Sequence, residues 1–264
     1  MRSRFLNSVL ATTTGLAALA VVLAAARGKE TVERIDFGAV RTATAPAYDA
    51  VLAPASDADV KEFIIPITHD TIEISKGVKY EGWTFGGTVP GPTLRVREGD
   101  VVRVKVVNKS PMPHSIDFHS ARIPANVAYR MVVPGDTVSF QFVASDPGAY
   151  LVHCGTPPIT MHLMQGMYFA IIVDPKDGWG TDVDKELVFV QSEFYAKTDS
   201  AKRTVPDWHS AMAKQASHVV FNGRSFQYKD HPIKVDEGDR VRIFVVDAGP
   251  TFRSDFHIVG AIFD

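Results

Sequence analysis

One stretch of this chain occurs twice. Leu94–Asn108, LRVREGDVVRVKVVN, aligns with Ile233–Asp247, IKVDEGDRVRIFVVD, at an offset of 139 residues. Both copies place apolar and polar residues in alternation around an identical Glu-Gly-Asp turn, the two-residue period of half-buried strands. Each copy then runs on to Asp-Phe-His, as Asp117-Phe118-His119 and as Asp255-Phe256-His257. A β-rich unit repeated at this spacing predicts two tandem copies of one β-domain.

The rest of the chain agrees. From Glu62 onward it falls into short runs rich in β-branched and aromatic residues, such as EFIIPIT, TIEIS, VSFQFVA and YFAIIV, separated by turn signals such as PGD and DPG. The expected fold is all-β: two tandem Greek-key β-sandwiches, with a domain over residues 61–175, a polar link at DPKDGW, and a second domain over 176–264. Only seven residues follow His257, against 48 between His119 and Met167 in the first copy, so the second sandwich is expected to be incomplete. One helix is expected, over DWHSAMAKQAS at 207–217, with Asp207 as its cap.

The amino terminus reads as an export signal over residues 1–26, with Arg2 and Arg4, a short apolar run GLAALAVVLAAA and small residues at the end. The alternative is an uncleaved membrane anchor. Exported means periplasmic or extracellular. Residues 27–60, rich in Ala, Pro and Asp, read as an extended arm. Removing residues 1–26 takes away two arginines and no acid, which moves the formal charge from −2 to −4. Nucleic acid is therefore excluded as a partner.

Cys154 is the only cysteine, so it has no internal disulfide partner. It stands in HCGTPPITMHLMQGM, after His153, eight residues before His162 and close to three methionines. If HSIDFH at 114–119 is a strand, His114, Ile116 and Phe118 face one way and Ser115, Asp117 and His119 the other. On a neighbouring strand, His153 and Cys154 must also face opposite ways. Two sites then arise back to back.

The inner site would hold His114, Cys154, His162 and a methionine, the ligand set of a blue-copper centre. Met167 is the expected axial ligand because it stands where the loop returns to YFAIIV; Met161 and Met164 are the alternatives, read as packing residues. The outer site would hold His119 and His153 with Asp117 on the same face. A copper held there by imidazoles could bind a small anion or dioxygen. Asp117 would then move protons, or else only orient His119.

These stretches resemble the copper-containing nitrite reductases, two-domain cupredoxins, and the likeness runs on through MPHSIDFHSA, HCGTPPITMHLMQGMYFAIIV, QSEFY, VVFNG and SDFHIVG. The resemblance implies type 1 copper on His114, Cys154, His162 and Met167, and type 2 copper on His119 and His153. It further implies that Asp117 and His257 are catalytic and that the substrate is nitrite, reduced to nitric oxide as in denitrification. A small donor protein, a cupredoxin or a cytochrome c, would supply electrons. The assembly would be a homotrimer with the type 2 site between subunits, His257 serving a neighbour's site and the third type 2 histidine lying beyond residue 264. In the second repeat Phe252 or Arg253 stands opposite His114, so no second type 1 site is expected there.

Two rival readings are weaker. A laccase-like multicopper oxidase needs His-x-His pairs and a His-Cys-His strand, but no His-x-His occurs and Gly155 follows Cys154. An electron carrier with type 1 copper alone would leave Asp117, His119 and His153 without a reason to share a face. The remaining histidines, His69, His209, His218 and His231, have no partner at ligand spacing and are read as surface or structural residues.

Overall fold

A computed structural model describes residues 30–39, 47–128 and 130–263. The signal expected over residues 1–26 lies outside them, as does part of the arm. No helix of the described residues is long and apolar enough to cross a membrane.

The strands follow in chain order as β1 (Val32–Asp36), β2 (Val60–Ser75), β3 (Val78–Phe85), β4 (Leu94–Arg97), β5 (Val101–Asn108), β6 (Asp117–Phe118), β7 (Thr137–Val143), β8 (Gly148–His153) and β9 (Tyr168–Asp174). The second part holds β10 (Lys185–Phe194), β11 (Ala196–Thr198), β12 (Thr204–Pro206), β13 (His218–Phe221) and β14 (Val241–Gly249). Short helices interrupt them: α1 (Ala125–Ala128), α2 (Ile159–Met164), α3 (Trp208–Met212) and α4 (Gln227–Asp230).

The first sandwich faces a five-stranded sheet, ordered β1-β2-β5-β7 with β3 paired to β2, against a four-stranded sheet, β4-β9-β8-β6. Strand β1 comes from the stretch read as an arm and lies parallel to β2, Val32 opposite Val60. Between the sheets pack Phe63, Ile65, Val104, Phe118, Val152, Phe169 and Ile171. Alternation along β5 explains this: Val102, Val104 and Val106 are buried while Lys105 between them is exposed.

Strand β9 is buried at every position. Phe169, Ile171 and Val173 join the first core, while Tyr168, Ala170 and Ile172 join a second one with Val188, Val190, Val220, Phe244 and Val246. The strand is therefore covered on both faces, which is why YFAIIV shows no polar alternation. Its second cover is the three-stranded sheet β13-β10-β14.

The repeat is visible in the pairing. Strand β5 runs parallel to β2 from Val60 opposite Val101, and β14 runs parallel to β10 from Lys185 opposite Val241. The second copy is a partial sandwich: among the described residues its three-stranded sheet has no facing sheet of its own and packs instead on the outer face of β9, while β11 and β12 form a separate hairpin. Its far side carries Phe189, Phe221 and Phe256 in mutual ring contact. Ile233–Asp236, the counterpart of β4, is not a strand, and Val235 is exposed. Strand β4 exists because β9 pairs with it; among the described residues the second copy offers Ile233–Asp236 no such neighbour. The helix expected over 207–217 is shorter, confined to α3, with the Asp207 carboxylate accepting from the His209 N–H as its cap.

The two copies come into close contact at Gly223, whose φ is +82° and where an added Cβ would stand 1.9 Å from the Val89 carbonyl oxygen. Backbone on one side and a left-handed conformation on the other admit only glycine. Gly223→Ala is expected to cost about 2–4 kcal/mol of stability. Gly99→Ala has a φ of +96° but no atom within 4 Å of the added Cβ, and should cost only about 1 kcal/mol. Urea midpoints of the two variants check the difference.

Candidate metal centres

The loop from β8 to β9 builds the first donor cluster. Cys154 directly follows β8, His162 lies on α2 and Met167 directly precedes β9. Two backbone bonds close this loop: Cys154 N–H donates to the Met167 carbonyl at 3.1 Å, and Met167 N–H to the His162 carbonyl at 3.1 Å. His114 arrives from the other side, held by paired backbone bonds with Val132. Buried Asn108, at the end of β5, fixes that segment by donating to the carbonyls of Met112 and Val132, each at 2.8 Å.

The donor atoms converge. Cys154 Sγ lies 3.2 Å from His162 Nδ1 and 3.9 Å from His114 Nδ1, and the two Nδ1 atoms are 3.1 Å apart. Donors bonded to one ion at about 2.0–2.3 Å stand about 3–4 Å from one another, so these spacings fit a shared metal. All three residues are buried. Met167 is also fully buried and packs in the same core as Cys154, whereas Met164 packs in a different cluster, against Tyr195 and Ala211. The Ser115 N–H donates to Cys154 Sγ at 3.4 Å.

The second cluster lies across the same pair of strands. Strand β6 pairs with β8 so that Asp117 stands opposite His153 and Phe118 opposite Val152. His119 Nε2 is 3.0 Å from His153 Nε2, and Asp117 Oδ2 is 3.6 Å and 3.7 Å from the two. His153 Nδ1 lies 2.8 Å from the Cys154 carbonyl and donates to it, which leaves Nε2 as the free lone pair. Only Asp117-Phe118 of HSIDFH is regular strand. The faces still alternate: Ile116 and Phe118 enter the core with Cys154, and Asp117 and His119 turn to His153.

The structure brings His114, Cys154 and His162 together, and Asp117, His119 and His153 together. His257 is exposed and joins neither group. One residue set aside on sequence grounds belongs at the first cluster: His69, on β2, has its Nε2 3.3 Å from His114 Nε2 and its ring stacked on Trp83. Trp83 in turn meets the rings of His114 and His162 edge-on.

Burial holds His114 down to about 3 and His162 down to about 4, in each case with a neighbouring histidine adding to the effect. His119 is lowered as well, by burial and then by His153, against the pull of Asp117. All three rings are thus kept neutral, the form that binds a metal.

Soft sulfur with imidazole on one side, imidazole with carboxylate on the other, on a pair of facing β-sheets, define a copper protein of the multicopper oxidase class. The multicopper oxidase family model matches residues 66–178. The copper-containing nitrite reductase of Neisseria gonorrhoeae is 39% identical over 83% of this chain and 59% of its own length. The structure of the copper nitrite reductase from Nitrosomonas europaea superposes with a TM-score of 0.66 at 37% identity, over 72% of this chain and 68% of that one. That of the copper-containing nitrite reductase from Thermus scotoductus gives 0.64 at 32% identity, over 72% of this chain and 44% of that one. The chain belongs to the copper-containing nitrite reductase family, and copper is its cofactor. It spans about three fifths of the length of the curated relatives it matches.

Neutral buried histidines make the metal-free protein acid-sensitive. Their folded pKa values lie below the unfolded value of 6.5, so below pH 6.5 the unfolded chain binds more protons and stability falls with pH until about 4 for His162 and about 3 for His114. Each ring contributes at most about 1.4 kcal/mol per pH unit. Urea titrations of the metal-free chain at pH 7, 6 and 5 should show this loss, and His162→Gln should flatten it.

Proposed function

We propose that the assembled protein reduces nitrite to nitric oxide, NO2− + 2H+ + e− → NO + H2O. The observation that carries this reading is the pair of donor clusters standing back to back and joined through the single peptide unit between His153 and Cys154. His114, Cys154, His162 and Met167 would hold type 1 copper, and His119 and His153 type 2 copper. Copper supplies a one-electron couple at the first site and an open coordination position for a small anion at the second.

The chain's own residues do the rest. The peptide between His153 and Cys154 gives the two sites a short covalent connection. Asp117 stands against both imidazoles of the second site and would hold the proton that the departing oxygen needs. Two imidazoles leave a catalytic metal one ligand short of the usual three. Exposed His257, in the copy of the motif that lacks a counterpart of His114, is suited to completing the site of a neighbouring subunit in a homotrimer. A small redox protein would deliver electrons at the first site, and the basic, then apolar, amino terminus supports export to the periplasm.

Electron paramagnetic resonance of the copper-loaded chain, followed by nitrite titration, tests the reading: two copper signals are expected, with only the type 2 signal moved by nitrite. Asp117→Asn should slow nitrite turnover by about 10²–10⁴-fold while the type 1 colour stays; unchanged turnover removes Asp117 from the chemistry. Met167→Leu should raise the type 1 potential and alter its spectrum without emptying the site, since an axial thioether tunes more than it holds. Cys154→Ala should abolish the colour. A larger spectral change in Met164→Leu than in Met167→Leu would overturn the axial assignment.

A further inference from the structure

His69 is half-buried on β2, directly opposite Trp83 on β3. The two rings stack, with centroids 5.1 Å apart and planes inclined by 11°. The same indole meets His114 at 5.5 Å and His162 at 5.0 Å, both edge-on. His69 thus packs against both the indole and His114, its Nε2 3.3 Å from His114 Nε2.

The direction of that hydrogen bond follows from the other side of the His114 ring. Nδ1 of His114 is the atom aimed at Cys154 and His162. A metal on Nδ1 puts the ring hydrogen on Nε2. His114 must therefore donate and His69 accept, through its own Nε2 lone pair. A ring hydrogen given to a fixed acceptor orients the imidazole and makes it a stronger donor to the metal.

We propose that His69, braced by Trp83, is a positioning residue for the first copper site: it accepts the Nε2 hydrogen of His114, fixes that ring and strengthens its hold on Cu(II). The proposal rests on the reading of His114, Cys154, His162 and Met167 as the type 1 site. Cu(II) gains more than Cu(I) from a more basic nitrogen, so the contact lowers the potential of the site. The chain could take this acceptor from a backbone carbonyl; using a side chain makes it separable by substitution.

Two variants separate the acceptor from the ring. His69→Phe keeps the stack on Trp83 and removes the acceptor, while His69→Gln returns an amide oxygen close to the place of Nε2. The readouts are Cu(II) and Cu(I) affinity of the metal-free chain by chelator competition, the potential by redox titration, and the visible spectrum. His69→Phe is expected to weaken Cu(II) binding about 10–100-fold, to affect Cu(I) less, and to raise the potential by about 59 mV for each tenfold difference between the two losses. His69→Gln should stay within a few-fold of the wild type. Wild-type affinity and potential in the Phe variant overturn the proposal, as does a Gln variant as impaired as Phe. Should His69→Phe not fold, His69→Leu against His69→Gln makes the same comparison. A wild-type chain with no thiolate-to-copper absorption would instead sink the type 1 reading itself, before either variant is compared.

Discussion

The pairing of β6 with β8 is the constraint on which both donor clusters depend. It sets Asp117 opposite His153 and Phe118 opposite Val152, and everything chemical follows from the two-residue period. Phe118 and Val152 must enter the core, so Asp117 and His153 must leave it, and Cys154, next along, must turn back in. A slip of one residue would exchange the faces and bury a carboxylate in place of a phenyl ring. The core thereby specifies the register, and the register specifies the chemistry. Two donor sets of different character arise on either side of consecutive residues, His153 and Cys154.

Strand β9 ties this arrangement to the second copy. Met167 directly precedes it, and the next residues alternate between the first core, through Phe169 and Ile171, and the second, through Tyr168 and Ala170. The loop that carries His162 therefore ends on a strand clamped from both sides. The second sheet lacks a facing sheet of its own among the described residues, yet it covers the outer face of the strand that anchors Met167. The loop is braced on its other flank as well, because Met164 packs against Tyr195 and Ala211 of the second part.

Much of this was legible in the sequence, because alternation and spacing are local properties. The repeat, the opposed faces of HSIDFH and of His153-Cys154, and the loop from Cys154 to Met167 needed no tertiary information. What was not legible depended on neighbours. LRVR is a strand and its counterpart IKVD is not, although their patterns match, because only the first has β9 beside it. His69 was set aside for a similar reason. Counted outward from the Lys76-Gly77 turn, with Ser75 opposite Val78, the hairpin would place Asp70 opposite Trp83. An irregularity between Glu73 and Ser75 shifts the register by one and brings His69 there instead. The bulge residue, Ile74, is fully buried among residues of both copies. Packing between the copies thus decides which side chain reaches His114, and no pattern within the hairpin announces it.

Burial then separates the tasks of the two centres. His114, Cys154, His162 and Met167 are almost wholly withdrawn from solvent, so a metal held there would be shielded from water. At the other centre the His119 side chain keeps 47% of its exposure while that of His153 keeps 9%. One imidazole is anchored by the Cys154 carbonyl and the other stands at the surface, which leaves a side open to a small anion or to a partner's ligand. A closed site suits electron transfer and an open one suits binding and protonation. The strand pair delivers both because its inner face is a protein core and its outer face is an edge. The same alternation that segregates phenylalanine from aspartate also segregates the sulfur-bearing donor set from the carboxylate-bearing one.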